Sequence, residues 1–189
     1  MPMHIRSGTS ADAEHIAELH THSWLTAYAE IMPASYLNGP LLDERKAMWS
    51  TRLATIASEP DHARCALVAV DGDVLLGFAY LVAGTDGRVL LDNLHVQPER
   101  KKSGIGRQLV HHAFGWAADQ HPDKAVYLEV LRDNVAAISF YRRLGGHPTK
   151  EFMERFPAGF ELPVVEYTWS PDIVRELADD RSADDRLVS

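Results

Sequence analysis

The spacing of apolar residues separates a helical first quarter of the chain from a strand-rich remainder. The pattern predicts a short strand over residues 3–7, and apolar residues then recur at helical spacing over residues 10–28. Ser10 and Asp12 stand at the beginning of that stretch, where capping residues are typical of a helix start. A second helical stretch is predicted over residues 43–56, so this first part of the chain is expected to be helical.

From residue 63 onward the apolar residues form short runs separated by turn sequences. Asp-Gly-Asp at residues 71–73 and Gly-Thr-Asp-Gly at residues 84–87 are typical of hairpin connections. They predict three consecutive antiparallel strands, over residues 63–70, 74–83 and 88–97.

The next segment alternates helices with strands. A helix of about four turns is predicted from Gly104, a strand over residues 125–131, a further helix from Asn134 to Leu144, and a last strand over residues 161–169. A strand–helix–strand order places the strand ending at residue 97 parallel to the strand at 125–131. The predicted fold class is α/β, with a mixed, mostly antiparallel central sheet flanked by helices.

The length and the end of the chain limit its domain organisation. With 189 residues the chain is long enough for one domain, which we expect to span residues 1–170. Residues 171–189 form an acidic tail with six acidic residues against three arginines, and we expect either disorder or a frayed helix there.

Composition narrows the classes of partner. Nineteen Lys and Arg against 27 Asp and Glu give a net charge of −8, which disfavours nucleic-acid binding. The chain has no run of about 18 apolar residues, so no membrane span is predicted. The start also lacks the apolar run of a signal peptide. Cys65 is the single cysteine, so no internal disulfide is possible, and we expect a cytoplasmic protein.

A basic, glycine-containing segment lies where a strand leads into a helix. Four cationic side chains fall between Arg100 and Arg107, and Gly104 and Gly106 leave backbone N–H groups uncovered at the predicted helix start. A helix N-terminus with such groups suits a pyrophosphate. Glycines and basic loops are also common at ordinary solvated helix starts, and the spacing does not match a nucleotide-hydrolysing P-loop.

This segment resembles the acetyl-CoA signature of the GNAT N-acetyltransferase superfamily, Arg/Gln-x-x-Gly-x-Gly/Ala after a Val-x-Pro strand end. Residues 96–98 are Val-Gln-Pro, and residues 101–106 are Lys-Lys-Ser-Gly-Ile-Gly. Two positions depart from the signature: Lys101 replaces Arg or Gln, and Lys102 stands where glycine is frequent. The positive charge is kept.

A second segment, residues 128–146, resembles the superfamily pattern Asn-x-x-Ala-x-x-Phe-Tyr-x-x-x-Gly-Phe. The match begins at Asn134 and includes Phe140 and Tyr141, while Gly146 replaces the usual final Phe. With two motifs in the expected order, the chain is identified as a member of the superfamily.

The resemblance implies that the two parallel strands splay apart and that acetyl-CoA binds between them. Tyr141 would then protonate the leaving thiolate, although a Tyr at this position of an amphipathic helix is also a plausible core residue. The residues implied in cofactor binding are Leu94, Val96, Lys101, Lys102, Ser103, Gly104, Ile105, Gly106, Arg107 and Asn134.

The acceptor of such an enzyme, a small-molecule or peptide amine, must lose a proton. An amine with a pKa near 10.4 is neutral in only roughly one molecule in a thousand at pH 7. His95 is the candidate base, because an unperturbed imidazole titrates near pH 6.5. The alternative is that His95 only lines the cleft. Asp92 and Glu129 are rival bases and candidate substrate contacts, although Asp92 is equally suited to a turn or cross-strand hydrogen bond.

The first predicted helix carries candidate acceptor contacts. Trp24 and Tyr28, four residues apart, share a helix face and are placed to stack on a substrate, although such aromatics are more often core. His20 and His22 lie on different helix faces, so no catalytic metal is expected. A non-catalytic acyl-CoA sensor is the alternative function.

The resemblance also implies a possible homodimer. We expect its interface to cover aromatic residues late in the chain, namely Phe152, Phe156 and Phe160.

Overall fold

The computed structural model describes residues 2–58 and 62–186 and places a seven-stranded sheet at its centre. The strands are β1 (His4–Ser7), β2 (Arg64–Asp71), β3 (Val74–Ala83), β4 (Val89–Val96), β5 (Val126–Leu131), β6 (His147–Arg155) and β7 (Glu161–Trp169). The helices are α1 (Ala13–Ala27), α2 (Ala34–Leu37), α3 (Leu41–Ser58), α4 (Ile105–Gln120), α5 (Val135–Arg143) and α6 (Pro171–Arg186). Across the sheet the strands follow the order β1-β2-β3-β4-β5-β7-β6.

The parallel strand pair predicted from the sequence is confirmed. β4 and β5 are parallel, whereas the other neighbouring strands are antiparallel. Their register holds only for Val89 opposite Val126 and Leu90 opposite Tyr127, after which the two strands part. A bulge on β4 near Asp92 shifts the register with β3 just beyond this point. The sheet therefore has a gap between its neighbouring strands β4 and β5, beyond Leu90 and Tyr127.

Helices cover both faces of the sheet, and their buried side chains form three cores. The first core joins the sheet to α4 and α6 through residues such as Leu109, Phe114 and Val174. The second packs α1 and α3 on the other face of β2 and β3. The third is smaller and joins α2 and the start of α3 to β5 and β7, through Leu131 and Val164.

One strand was not predicted. β6 pairs with β7 at the sheet edge, and of its side chains only Phe152 is partly buried. Without an alternation of apolar and polar residues, β6 has no period-two signal. The three phenylalanines expected at a dimer interface are partly buried within the same chain, and their part in an interface stays a prediction. Phe152, Phe156 and Phe160 pack in the third core of the same chain, and the rings of Phe156 and Phe160 stack 4.7 Å apart.

The acidic tail is helical as far as residue 186. Val174 and Ala178 of α6 are buried, and Ile173 and Leu177 pack beside them, which gives the helix an apolar stripe. Arg175 also donates a hydrogen bond of 2.7 Å to the carbonyl oxygen of Pro122. Residues 187–189 lie outside the described residues. No helix in the described part of the chain combines the length and hydropathy needed to cross a membrane.

Candidate active site

The basic loop ends in two residues with left-handed backbone conformation. A turn of 3-10 helix at Pro98–Arg100 leads into Lys102, with a φ of 66°, and Gly104, with a φ of 90°. Gly104 is the N-cap of α4 and has no side chain to accept from the first N–H groups of the helix. These donors are therefore open to a ligand, and the loop keeps Lys102 in a conformation that favours glycine.

The surroundings of this helix start fit a diphosphate. The side chains of Lys101, Lys102 and Ser103 are exposed around it, and Ile105 is buried beneath it. Gly106 faces the ring of Phe140, which a Cβ would meet at 3.5 Å. The exposed Arg107 is engaged along its own helix, since its Nε donates to His111 at 3.3 Å and its Nη2 lies 3.7 Å from Asp180.

The gap between β4 and β5 begins after Leu90 and extends along β4 toward this loop. The register of β4 with β5 ends at Leu90, although β3 continues to pair with β4 as far as Val96. Leu94 and Val96 are half-buried, and their side chains pack on the first core. The backbone edge of β4 between them therefore faces the gap, where an extended chain is able to add alongside it.

At the other side of the gap, α5 supplies an amide and a phenol. The side-chain oxygen of Asn134 caps α5 by accepting from the Ala137 N–H at 3.3 Å. Tyr141 is partly buried, with its ring 6.0 Å from that of Trp169. Burial, and then the nearby Tyr28, raise the pKa of Tyr141, so its hydroxyl stays protonated at neutral pH.

His95 lies on the face of β4 that carries α1. One ring nitrogen, Nδ1, is 2.9 Å from the hydroxyl of Ser23, and the ring lies 5.3 Å from Phe78. Burial and then the charges of Arg45 and Lys101 lower the pKa of His95 to about 3. His95 is therefore neutral and a weaker base than an unperturbed imidazole, and its role as the base stays a prediction.

A second imidazole stands beside His95. The rings of His20 and His95 are 4.7 Å apart, and His20 is buried. Trp49 donates to Nδ1 of His20 at 3.1 Å, so the proton of the neutral ring is on Nε2, which has no partner. Burial is the main cause that lowers the pKa of His20, and the ring stays neutral. His22 points elsewhere and pairs with Glu99 at 3.0 Å.

The two rival carboxylates differ in their surroundings. Asp92 forms an ion pair of 2.8 Å with Arg52 of α3. Glu129 stands opposite Glu166 in the register of β5 and β7, and burial and then neighbouring carboxylates raise the pKa of Glu129. Among the described hydrogen bonds, neither residue contacts His95.

An aromatic wall closes the α1 side of the gap. The rings of Trp24 and Tyr28 meet edge to face at 5.1 Å, and Trp24 also approaches His20 at 5.8 Å. Burial raises the pKa of Tyr28, whereas a hydrogen bond with Asn134 lowers it. Tyr28 therefore reaches across to α5, next to Tyr141.

Sequence reasoning missed Arg45, Ser23 and Arg52. The Cζ atom of Arg45 lies 4.4 Å above the ring of Trp24. A signal was present in the sequence, because Arg45 falls four residues after Leu41 and four before Trp49, on the apolar face of α3. A cation in such a stripe indicates a buried charge.

Comparisons with known proteins identify the family. The family model described as Acetyltransferase (GNAT) family matches residues 18–146, which include both motifs and the first aromatic wall residues. The chain therefore belongs to the GNAT acetyltransferase family, as the two motifs predicted.

Similarity extends over most of the chain. The uncharacterised N-acetyltransferase YuaI of Bacillus subtilis strain 168 is 29% identical over 178 residues, covering 89% of this chain and 93% of the relative. The structure of PaiA N-acetyltransferase from Thermoplasma acidophilum in complex with coenzyme A has a TM-score of 0.69 and 22% identity, covering 89% of this chain and 100% of that chain. The putative acetyltransferase yncA from Salmonella typhimurium, with its cofactor acetyl-CoA, has a TM-score of 0.67 and 20% identity, covering 90% of this chain and 95% of that one.

Proposed function

We propose that this protein transfers the acetyl group of acetyl-CoA to a primary amine by direct attack in a ternary complex. The observation that carries the proposal is that a cationic helix start, a gap between two strands, a phenol and an imidazole lie next to one another. A cationic helix start lies at one end of the β4–β5 gap, and Tyr141 and His95 come from elements beside it. Membership of the GNAT family and the coenzyme A bound by PaiA support the same proposal.

The cofactor-binding roles follow from this arrangement. Lys101, Lys102 and the open N–H groups of α4 would hold the diphosphate, and the backbone of Leu94 and Val96 would pair with the pantetheine arm. Asn134 would contact that arm from α5. Bound there, acetyl-CoA supplies a thioester whose acyl C–S bond breaks as the new N–C bond forms.

The acceptor has to react as a free amine. Deprotonating an ammonium group of pKa near 10.4 at pH 7 costs roughly 4–5 kcal/mol. Burial is the first cause of the low pKa of His95, and the same burial disfavours an ammonium ion bound beside it. The site therefore favours the neutral, nucleophilic form of an amine.

His95 is proposed to accept the proton that the nitrogen loses on attack. In the ligand-free protein, the charge of Lys101 is one of the causes that lower the pKa of His95. An anionic diphosphate on Lys101 would offset that charge and make the imidazole more basic. The hydrogen bond with Ser23 fixes the orientation of the ring.

Tyr141 is proposed to donate its proton to the departing thiolate. Its raised pKa keeps the hydroxyl protonated at neutral pH, so a proton is available beside the sulfur when the thiolate departs. The proton gained by His95 and the one lost by Tyr141 balance, and exchange with solvent restores both residues. Cys65 has no part in this scheme, because burial raises the pKa of its thiol to about 12.

Two measurements on the purified protein test this proposal. Calorimetric titration with acetyl-CoA, against an acyl-free adenine dinucleotide of similar charge, is expected to show selective binding of acetyl-CoA. Steady-state release of coenzyme A is expected to depend on added amine. Binding without amine-dependent release would instead identify a non-catalytic acyl-CoA sensor, and absence of binding would contradict both functions.

A further inference from the structure

Arg45 is a buried cation for which the described residues offer no anionic partner. Arg45 is 9% exposed and lies between Leu41 and Trp49 on the inner face of α3. Its Nε has no hydrogen-bond partner, and in the described part of the chain no carboxylate lies within ion-pair distance of it. The neighbouring residue Lys46, by contrast, is paired with Glu14 at 2.5 Å.

Such an arrangement is unfavourable in the protein alone. A guanidinium whose Nε is buried without a partner loses part of its hydration and gains no ion pair in return. The face of Trp24, 4.4 Å below Cζ, compensates for part of that loss through a cation–π contact. A planar donor fork that matches carboxylate geometry is left without an acceptor.

The position of Arg45 connects it to the proposed acceptor site. Leu41 belongs to the third core and Trp49 to the second, so Arg45 lies between these two cores, beside Trp24 of the aromatic wall. Its charge is one of the causes that lower the pKa of both His20 and His95. The nearest groups of the site are therefore neutral imidazoles and aromatic rings. Asp92, which lies on the same face, is already paired with Arg52.

We propose that Arg45 binds a carboxylate of the amine acceptor, so that the acceptor is an amino acid or a closely related amine that bears an anionic group. This inference rests on the proposed function, because it assigns one end of the acceptor to Arg45 and the amine to the His95 end of the site. The partly buried rings of Trp24, Tyr28 and Tyr36 form a wall that suits an apolar side chain between or beside these groups.

A carboxylate at this position also has a consequence for the base. With Arg45 neutralised and Lys101 covered by a diphosphate, both charges that lower the pKa of His95 are offset. His95 then becomes more basic when both substrates are bound. An acceptor with cationic groups alone would instead be repelled by Arg45.

Three matched amines test whether the acceptor needs a carboxylate: L-phenylalanine, phenylalanine amide and phenethylamine. They share a side chain, and only L-phenylalanine carries a carboxylate. Release of coenzyme A is measured for each, with kcat/KM corrected for the fraction of free amine. The wild type is expected to prefer phenylalanine by about tenfold to a hundredfold, the range of a charge-assisted hydrogen-bonded pair. Arg45→Gln is expected to abolish this preference, mainly through KM.

Lys46→Gln is the matched control, since it removes the same charge from the next residue of α3, on the exposed side. It is expected to keep the preference. Arg45→Lys retains a cation and is expected to keep part of the preference, so it preserves the test if the Gln variant does not fold. Equal activity of the wild type toward all three amines, or a preference for spermidine, would overturn the inference.

Thermal unfolding with 3-phenylpropanoate, an acid without an amine, tests the site independently of catalysis. This acid is expected to raise the melting temperature of the wild type and of Lys46→Gln, but not that of Arg45→Gln. No shift, or equal shifts in all three proteins, would overturn the carboxylate site. If amines other than phenylalanine are acetylated nevertheless, the proposed acetyltransferase function stands without it.

Discussion

At the scale of single residues, the candidate site depends on side chains whose protonation differs from that in water. Burial raises the pKa of Tyr141 and lowers that of His95, so one phenol keeps its proton and one imidazole stays neutral. Tyr141 therefore holds a proton that it is able to donate, whereas His95 is free to accept one but is weakly basic until the charges of Arg45 and Lys101 are offset.

Replacing Tyr141 by Phe tests the proposed acid. The ring and its contacts with Phe140 and Trp169 are preserved, so acetyl-CoA binding is expected to change by less than about twofold. Turnover is expected to fall by about a hundredfold or more, because the departing thiolate loses its proton donor. The measurement is kcat together with the calorimetric Kd for acetyl-CoA, and an unchanged kcat would rule out this role.

Lys102 carries a conformational cost that its neighbour does not. Its φ is 66°, whereas that of Lys101 is −60°, so glycine is favoured only at residue 102. Lys102→Gly and Lys101→Gly each remove one loop charge. We expect the second variant to be less stable than the first by about 1–2 kcal/mol in urea unfolding. Equal stabilities would show that Lys102 is unstrained.

At the scale of elements, β7 explains why the second motif ends in glycine. A Cβ on Gly146 would lie 2.6 Å from Cζ2 of Trp169, whose indole is buried and donates to the carbonyl oxygen of Leu144 at 2.9 Å. The family pattern has Phe at this position, and in this chain Trp169 fills the space. The packing of α5, and with it the place of Tyr141, depends on this contact.

Gly146→Ala is expected to destabilise the protein by about 1–3 kcal/mol through overpacking. In the background of Trp169→Phe, which has a smaller ring, the same change is expected to cost less, although the carbonyl oxygen of Tyr141 still lies 3.0 Å from the new Cβ. A double-mutant cycle on the free energy of unfolding measures this coupling. Additive effects would mean that the two residues do not share the space.

Elements with a strong period were predictable, and elements without one were not. The alternation and turn chemistry of residues 63–97 predicted β2 to β4 to within one or two residues. β6 remained unpredicted because its exposed side chains alternate little. The low pKa of His95 comes first from burial and then from charges such as that of Arg45, 50 residues earlier in the sequence, so it required the tertiary fold. The two motifs predicted where the parallel strands part, and Trp24 and Tyr28 were candidate acceptor contacts from their spacing. The contact of Arg45 with Trp24 became evident only from the packing of α3 against α1.

At the scale of the whole molecule, a protein of net charge −8 still carries a local cluster of four cationic side chains between Arg100 and Arg107, around the start of α4. Overall charge therefore disfavours polyanions without preventing one anionic cofactor from binding locally. Homodimer formation remains a prediction, which sedimentation equilibrium would test.

Stability is expected to fall on mild acidification. The unfolded chain binds a proton on His95 near pH 6.5, while the folded chain does so only near pH 3, so stability is full above about pH 6.5 and is lost as the pH falls toward 3. Between pH 7 and pH 5 this single group accounts for a loss of about 2 kcal/mol. His95→Gln is expected to reduce the measured loss in urea unfolding by that amount. A loss equal to that of the wild type would contradict the low pKa.

The most direct test of the account is mass spectrometry of the intact protein and of the amine after mixing with acetyl-CoA. Without amine, we predict that the protein keeps its mass and that coenzyme A is not released. With amine, we predict one acetylated amine for each coenzyme A released. An acetylated protein formed in the absence of amine, or coenzyme A released without an acetylated amine, would contradict direct transfer at the β4–β5 gap.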